Sequence, residues 1–189
     1  MSEGFEAGFQ DSDASIYELA ASSVMSFYGD FVDGSPSDSL AIVSERTLPT
    51  DAVKAIRASA DRLGYGSDGC AWITIRAKSR PSADSGKLAS AGDAAGSASV
   101  PAPDRAAKLG DQDLKTLVEA LDPIAVISTD AASAMALSRA YGQTVTLGTL
   151  ATLNGRDVAP LPDFPLMLAD DAGKQSAWRL MKRLRLGIG

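Results

Sequence analysis

The chain has 189 residues, 45% hydrophobic and 22% charged, a globular balance that excludes a largely disordered, collagen-like or disulfide-scaffold protein. Eighteen basic against 24 acidic residues leave a net charge of −6, which lowers the expectation of nucleic-acid binding without removing it, because a local basic patch suffices. There is no histidine and a single cysteine, Cys70, so the usual neutral-pH acid–base group, an internal disulfide, a structural zinc and an iron–sulfur cluster held by one chain are all excluded, and no cofactor is expected.

Residues 1–14 are mostly polar and acidic, and a flexible amino terminus is expected there. Ser15 and Glu18 have capping-box spacing. Ile16, Leu19, Ala20, Val24 and Phe27 follow at helical spacing and predict an amphipathic helix over 15–28. Residues 29–38 read as a loop, and the apolar run 40–43 as a buried strand. Thr47 reads as the cap of a helix with Pro49 in its first turn, Val53, Ile56, Ala60 and Leu63 on its inner face, and Gly64 at its end. A second strand is predicted over 71–75.

Residues 82–104 are dominated by Ala, Ser, Gly and Pro. Such a segment buries too little apolar surface to offset its ordering entropy, so a disordered insertion is expected, with its outer limit at 108. Asp111 reads as the cap of a helix carrying Leu114, Leu117, Val118 and Leu121, ended by Pro123. A third strand is expected over 124–127. Ser128 and Thr129 then cap a helix over 130–141 closed by Gly142, and a fourth strand follows over 144–147. Asn154-Gly155 predicts a hairpin joining 150–153 to 156–159. A short strand over 165–168 and a helix over 172–185, with Ala177, Leu180, Met181 and Leu184 inside, complete the chain.

Strands alternating with helices predict one three-layer α/β/α sandwich over 15–187 with a mostly parallel central sheet. No apolar run reaches eighteen residues and the amino terminus lacks a secretory pattern, so a cytoplasmic protein without membrane contact is expected.

No phosphate-binding glycine loop, dinucleotide fingerprint or nucleophile elbow is present. Ligands of open parallel sheets bind beyond the carboxyl ends of the strands, so the residues after each strand are the candidates. They are Ser44-Glu45-Arg46-Thr47-Leu48, Arg76-Ala77-Lys78-Ser79-Arg80-Pro81, Ser128-Thr129-Asp130 and Pro160-Leu161-Pro162-Asp163-Phe164-Pro165.

Taken in order, these segments resemble motifs of the uracil-DNA glycosylase superfamily, most closely its family-4 iron–sulfur branch. Val43-Ser44-Glu45-Arg46-Thr47-Leu48 stands where that family has G-E-A-P-G. The run Ile73 to Pro81 is similar to I-T-N-V-V-K-C-R-P, and Asp122 to Ser128 to P-K-V-I-V-A-L-G. Gly155 to Pro165, followed by a helix with Trp178, resembles the last motif, G-x-P-V-x-P-T-x-H-P-S. The similarity covers roughly 40–185 and implies the glycosylase fold. The closing segment, Leu168-Ala169-Asp170-Asp171 before a Trp-bearing helix, also resembles the psi subunit of the bacterial DNA polymerase III clamp loader. That subunit shares the fold and works through protein partners.

The departures fall on the chemistry. Both glycines of the first motif are missing, Ile75 replaces the asparagine that would read uracil, Ser79 replaces a cluster cysteine, and Asp163 replaces the histidine that would stabilise the leaving uracil anion. Glu45 remains as a catalytic carboxylate, though a solvated loop residue is the simpler reading. Asp163 reads more simply as a turn residue. Ser44, Ile75, Arg76, Lys78, Arg80 and Ser128 are the candidate binding residues, with Arg76, Lys78 and Arg80 suited either to phosphates or to a solvated strand end. Lys174, Arg179, Lys182, Arg183 and Arg185 give the last helix a basic face that its dipole alone would favour.

The resemblance therefore implies a glycosylase-like domain that has lost catalysis and serves as a binding or accessory module in DNA repair or replication, with a protein partner expected and DNA possible. The alternative is a divergent, active DNA glycosylase in which Glu45 activates water and Ser128 or Lys78 stabilises the leaving group. A small-molecule α/β enzyme with an unfamiliar site ranks third.

Overall fold

The computed structural model describes residues 23, 26–34, 38–76 and 108–184. The terminus expected over 1–14, most of the helix expected over 15–28 and the interior of the expected insertion lie outside them. Within them are β1 (Val32–Asp33), β2 (Leu40–Ser44), α1 (Thr50–Arg62), β3 (Cys70–Thr74), α2 (Asp111–Leu121) and β4 (Ala125–Ser128). There follow α3 (Ala131–Tyr141), β5 (Ala151–Leu153), β6 (Arg156–Pro160), α4 (Phe164–Met167) and α5 (Asp171–Met181). The six strands form one sheet in the order β1-β3-β2-β4-β6-β5. The inner four are parallel, and the short edge strands β1 and β5 are antiparallel to their neighbours.

Every residue of β2 is buried, because helices cover both faces of a parallel sheet. The pleat sorts its side chains. Leu40 and Ile42 join a core with Ile56 of α1, Phe164 of α4 and Ala177, Leu180 and Met181 of α5. Ala41 and Val43 face the opposite core, with Leu114, Leu117 and Val118 of α2 and Ala136 and Leu137 of α3. Two cores, one on each side of the sheet, make the layered α/β architecture expected from the alternation of elements.

Several local expectations are corrected. Residues 144–147 form no strand; they lead into a turn in which the Thr149 N–H donates to the Thr146 carbonyl at 3.2 Å. Only Val145 of this stretch packs on the core, and Leu147 is 39% exposed, so its β preference has little packing to act on. Residues 165–168 are not a strand either: 164–167 are the helix α4, in which Pro165 occupies the first turn and Asp163 is the N-cap. The predicted loop over 29–38 contains β1. Helix α1 has Pro49, not Thr47, at its N-cap, α2 has Gly110 rather than Asp111, and α3 has Asp130 rather than Ser128 or Thr129. Lys108, the outer limit set for the insertion, forms an antiparallel bridge with Arg76.

The Asn154-Gly155 hairpin is as predicted, with both residues at positive φ, 47° and 84°. Arg156, whose side chain is 14% exposed, fastens it to the end of α2. Its Nη1 donates to both Glu119 oxygens at 3.0 and 2.9 Å, and its Nη2 to Asp122 Oδ1 at 2.7 Å. Burial alone would raise the Glu119 carboxyl, but the Tyr141 hydroxyl and the Arg156 guanidinium beside it outweigh burial and hold it below the ordinary range. Arg156→Ala is expected to cost about 1–2 kcal/mol at neutral pH, discounted for the partly exposed partners. Glu119 supplies its share of that stability above the ordinary carboxylate pKa and loses it as pH falls through the depressed folded value. Urea unfolding at pH 7 and pH 3 is expected to show the wild-type advantage shrinking in acid; an unchanged difference would refute the carboxylate's part in it.

Candidate functional site

After β2 the chain crosses to β3 on one side, and after β4 it proceeds to β6 on the other. The carboxyl ends of β2 and β4 are therefore the topological switch point, where a ligand of such a sheet is expected. Val43 of β2 lies opposite Ser128 of β4, so Ser44, Glu45, Ser128, Thr129 and Asp130 gather there.

Asp130 organises this edge. Its Oδ1 accepts the Ser133 N–H at 2.7 Å, and the Ser133 hydroxyl faces the Asp130 N–H at 3.3 Å, closing a reciprocal cap on α3. Its Oδ2 accepts the Glu45 N–H at 2.8 Å, tying the loop after β2 to the start of α3. Ser128 Oγ lies 2.9 Å from Ser133 Oγ and 3.1 Å from the Asp130 carbonyl. The Thr129 hydroxyl reaches the Val43 carbonyl and Asp130 Oδ2, both at 3.3 Å. Ser128, Thr129 and Ser133 are fully buried.

Of the two candidate catalytic carboxylates, Glu45 accepts from Arg76 Nε at 2.9 Å, with the two side chains 32% and 47% exposed. The backbones are joined as well, the Arg76 N–H donating to the Glu45 carbonyl at 3.0 Å. Asp163 is exposed and caps α4 by accepting the Leu166 N–H at 3.0 Å. It sits beside Asp130 through a backbone bridge.

The structure thus brings Ser44, Glu45, Arg76, Ser128 and Asp163 to one edge of the sheet. Ile75 is 3% exposed and its side chain belongs to the core beneath α2 and α3. Lys78 and Arg80 lie outside the described residues. Thr129 and Asp130 stood only in the segment after the third predicted strand, without an assigned role, and Ser133 was not among the candidates. The Asp130-x-x-Ser133 spacing of a reciprocal cap is the sequence signal that marks Asp130 and Ser133.

Chemically the arrangement is closed. The carboxylate of Asp130 and the hydroxyls of Ser128, Thr129 and Ser133 are spent on the fold itself, and Glu45 is neutralised by a guanidinium. Cys70, on β3, is buried, and burial first, then the nearby Asp38, pushes its thiol up to about 11. A thiol held there is not a nucleophile at neutral pH. A colourless aromatic disulfide reagent is expected to modify Cys70 only as fast as the protein unfolds; immediate reaction of the native protein would show the thiol to be accessible.

No protein-family model matches this chain. No curated protein matches it either. Among the described residues no three histidine, cysteine, aspartate or glutamate side chains are grouped to hold a metal ion, and no helix is long and apolar enough to cross a membrane.

Proposed function

We propose that this chain is a non-catalytic binding module built on a uracil-DNA glycosylase-like fold, acting with a protein partner in DNA repair or replication. The motif series along 40–185 supports the fold relationship. The observation that carries the loss of chemistry is the inward use of the switch-point side chains. A glycosylase needs donors aimed at a flipped base and at the departing anion. Here Ile75 is in the core, Asp163, at the position the resemblance gives to the stabilising histidine, is an acceptor that caps α4, and Glu45 is engaged by Arg76.

The test is single-turnover glycosylase assay at high protein excess, on single- and double-stranded oligonucleotides containing uracil or hypoxanthine, with abasic-site cleavage as the readout. No cleavage above the protein-free control is expected. Cleavage that is abolished by Glu45→Ala would replace this reading with the divergent enzyme.

A further inference from the structure

The charges of the described residues are not evenly paired. On the side of the sheet covered by α2 and α3 each arginine has a carboxylate partner: Arg139 holds Asp111 at 2.8 Å and Arg156 holds Glu119 and Asp122. At the carboxyl edge Arg76 holds Glu45. The other side holds the pairs Arg57–Asp68 at 3.9 Å and Lys174–Asp171 at 3.0 Å, and leaves four further cations unpaired. Arg62 ends α1, and Arg179, Lys182 and Arg183 occupy the last turn of α5 and the residues just after it. All four are exposed, and none has an ion pair among the described residues.

The topology puts them at one edge. Helix α1 links the carboxyl end of β2 to the start of the parallel strand β3, so Arg62 lies at the amino edge of the sheet. Helix α5 begins beyond α4, which is tied to the carboxyl edge by the Phe164 N–H donated to the Thr129 carbonyl at 2.8 Å. Its inner residues Ala177, Leu180 and Met181, and Leu184 beyond them, pack in the same core as α1, carrying the basic turn back across that face. A helix dipole favours cations at a carboxyl terminus. It does not account for Arg62, which ends a different helix, meeting them at one edge of a chain whose acidic residues outnumber basic ones by 24 to 18.

We propose that this basic end, Arg179, Lys182 and Arg183 with Arg62, is the docking surface for a short acidic segment of a protein partner. Guanidinium groups match carboxylates in bidentate geometry, which selects such a segment. The size of the patch favours a peptide over nucleic acid. Duplex DNA carries one charge per roughly 1.7 Å, so a strip one helix turn wide meets few phosphates while the rest of a net-negative surface repels the remainder. The proposal rests on the binding-module reading and names its partner chemistry.

The test is fluorescence anisotropy of a labelled ten-residue Asp/Glu-rich peptide, with a labelled twenty-residue oligothymidine in parallel, each at 50 and 200 mM salt. Wild-type protein is expected to bind the peptide, more weakly at the higher salt. The triple variant R179Q/K182Q/R183Q is expected to lose at least tenfold in affinity, and K54Q, on α1 away from its end, to bind as wild type does. Melting temperatures confirm that both variants are folded, and R62Q combined with R183Q gives a milder second probe. No peptide binding, equal binding by the triple variant, or binding of the oligonucleotide alone would overturn the proposal. The glycosylase assay uses different substrates and reads the other edge of the sheet, so failure there is separate from failure here.

Discussion

Phe164→Ala is expected to lower the unfolding free energy by about 3–5 kcal/mol, the range for truncating a fully buried phenylalanine. Phe164 is 1% exposed and is the largest fully buried side chain among the described residues. Its ring fills the core shared by β2, α1 and α5, while its backbone N–H donates to the Thr129 carbonyl. Truncation would open a cavity under α5 and loosen the segment that carries α4. With typical domain stabilities of about 5–15 kcal/mol, such a loss is a large fraction of the total. Urea unfolding followed by tryptophan fluorescence measures it, since Trp178 packs against that same core. Phe164→Leu, which refills most of the volume, is expected to recover more than half of the loss. A loss below about 1 kcal/mol for the alanine variant would show that the site collapses without a cavity and that the packing assigned to Phe164 is wrong.

Asp130→Ala is expected to cost about 2–4 kcal/mol. An N-cap aspartate is worth about 0.5–2 kcal/mol against alanine. The second carboxylate oxygen adds a charge-assisted bond to the Glu45 N–H, of a kind worth about 1.5–3 kcal/mol at best. Asp130→Asn separates the two roles. Asparagine caps helices as well as aspartate does, but its amide nitrogen cannot accept from the Glu45 N–H, so only the second contribution is lost. The expected order of stability is wild type, then Asn, then Ala, by urea titration at pH 7. Amide hydrogen exchange at Glu45 is expected to accelerate equally in both variants, because both lose the acceptor. Retained protection in the asparagine variant would sink the assignment of Oδ2 as the tie between β2 and α3.

Phe164 and Asp130 both lie where local sequence pattern and tertiary structure part. Phe164 lies in a stretch read as leading into a strand. Pro165 was the clue against it, because proline cannot donate to a ladder yet fits the first turn of a helix. Asp130 was read as the interior of a helix that Ser128 and Thr129 were to cap. Those two instead turn inward beneath the sheet edge, Ser128 as the last residue of β4, and hand the cap to the residue after them. Residues 144–147 have a β-rich composition and still form no strand, since β preference expresses packing and only Val145 among them packs on the core.

What the sequence determined by itself is the part governed by local periodicity and turn chemistry. The apolar run at β2, the amphipathic spacing of α1, α2 and α5, and the positive-φ pair Asn154-Gly155 each specify one conformation from neighbouring residues alone. The alternation of these elements then leaves little besides a helix-covered parallel sheet. What only the tertiary structure decided is how the strands are ordered and what the polar residues at their ends face. The order β3-β2-β4 brings Glu45 and Asp130 together from 85 positions apart, and turns Ile75 into the core although it follows a strand end. Such contacts depend on where the chain crosses over. A carboxylate's partners over that distance leave no periodic trace in sequence, because they are fixed by the closing of the sheet and not by the residues beside them.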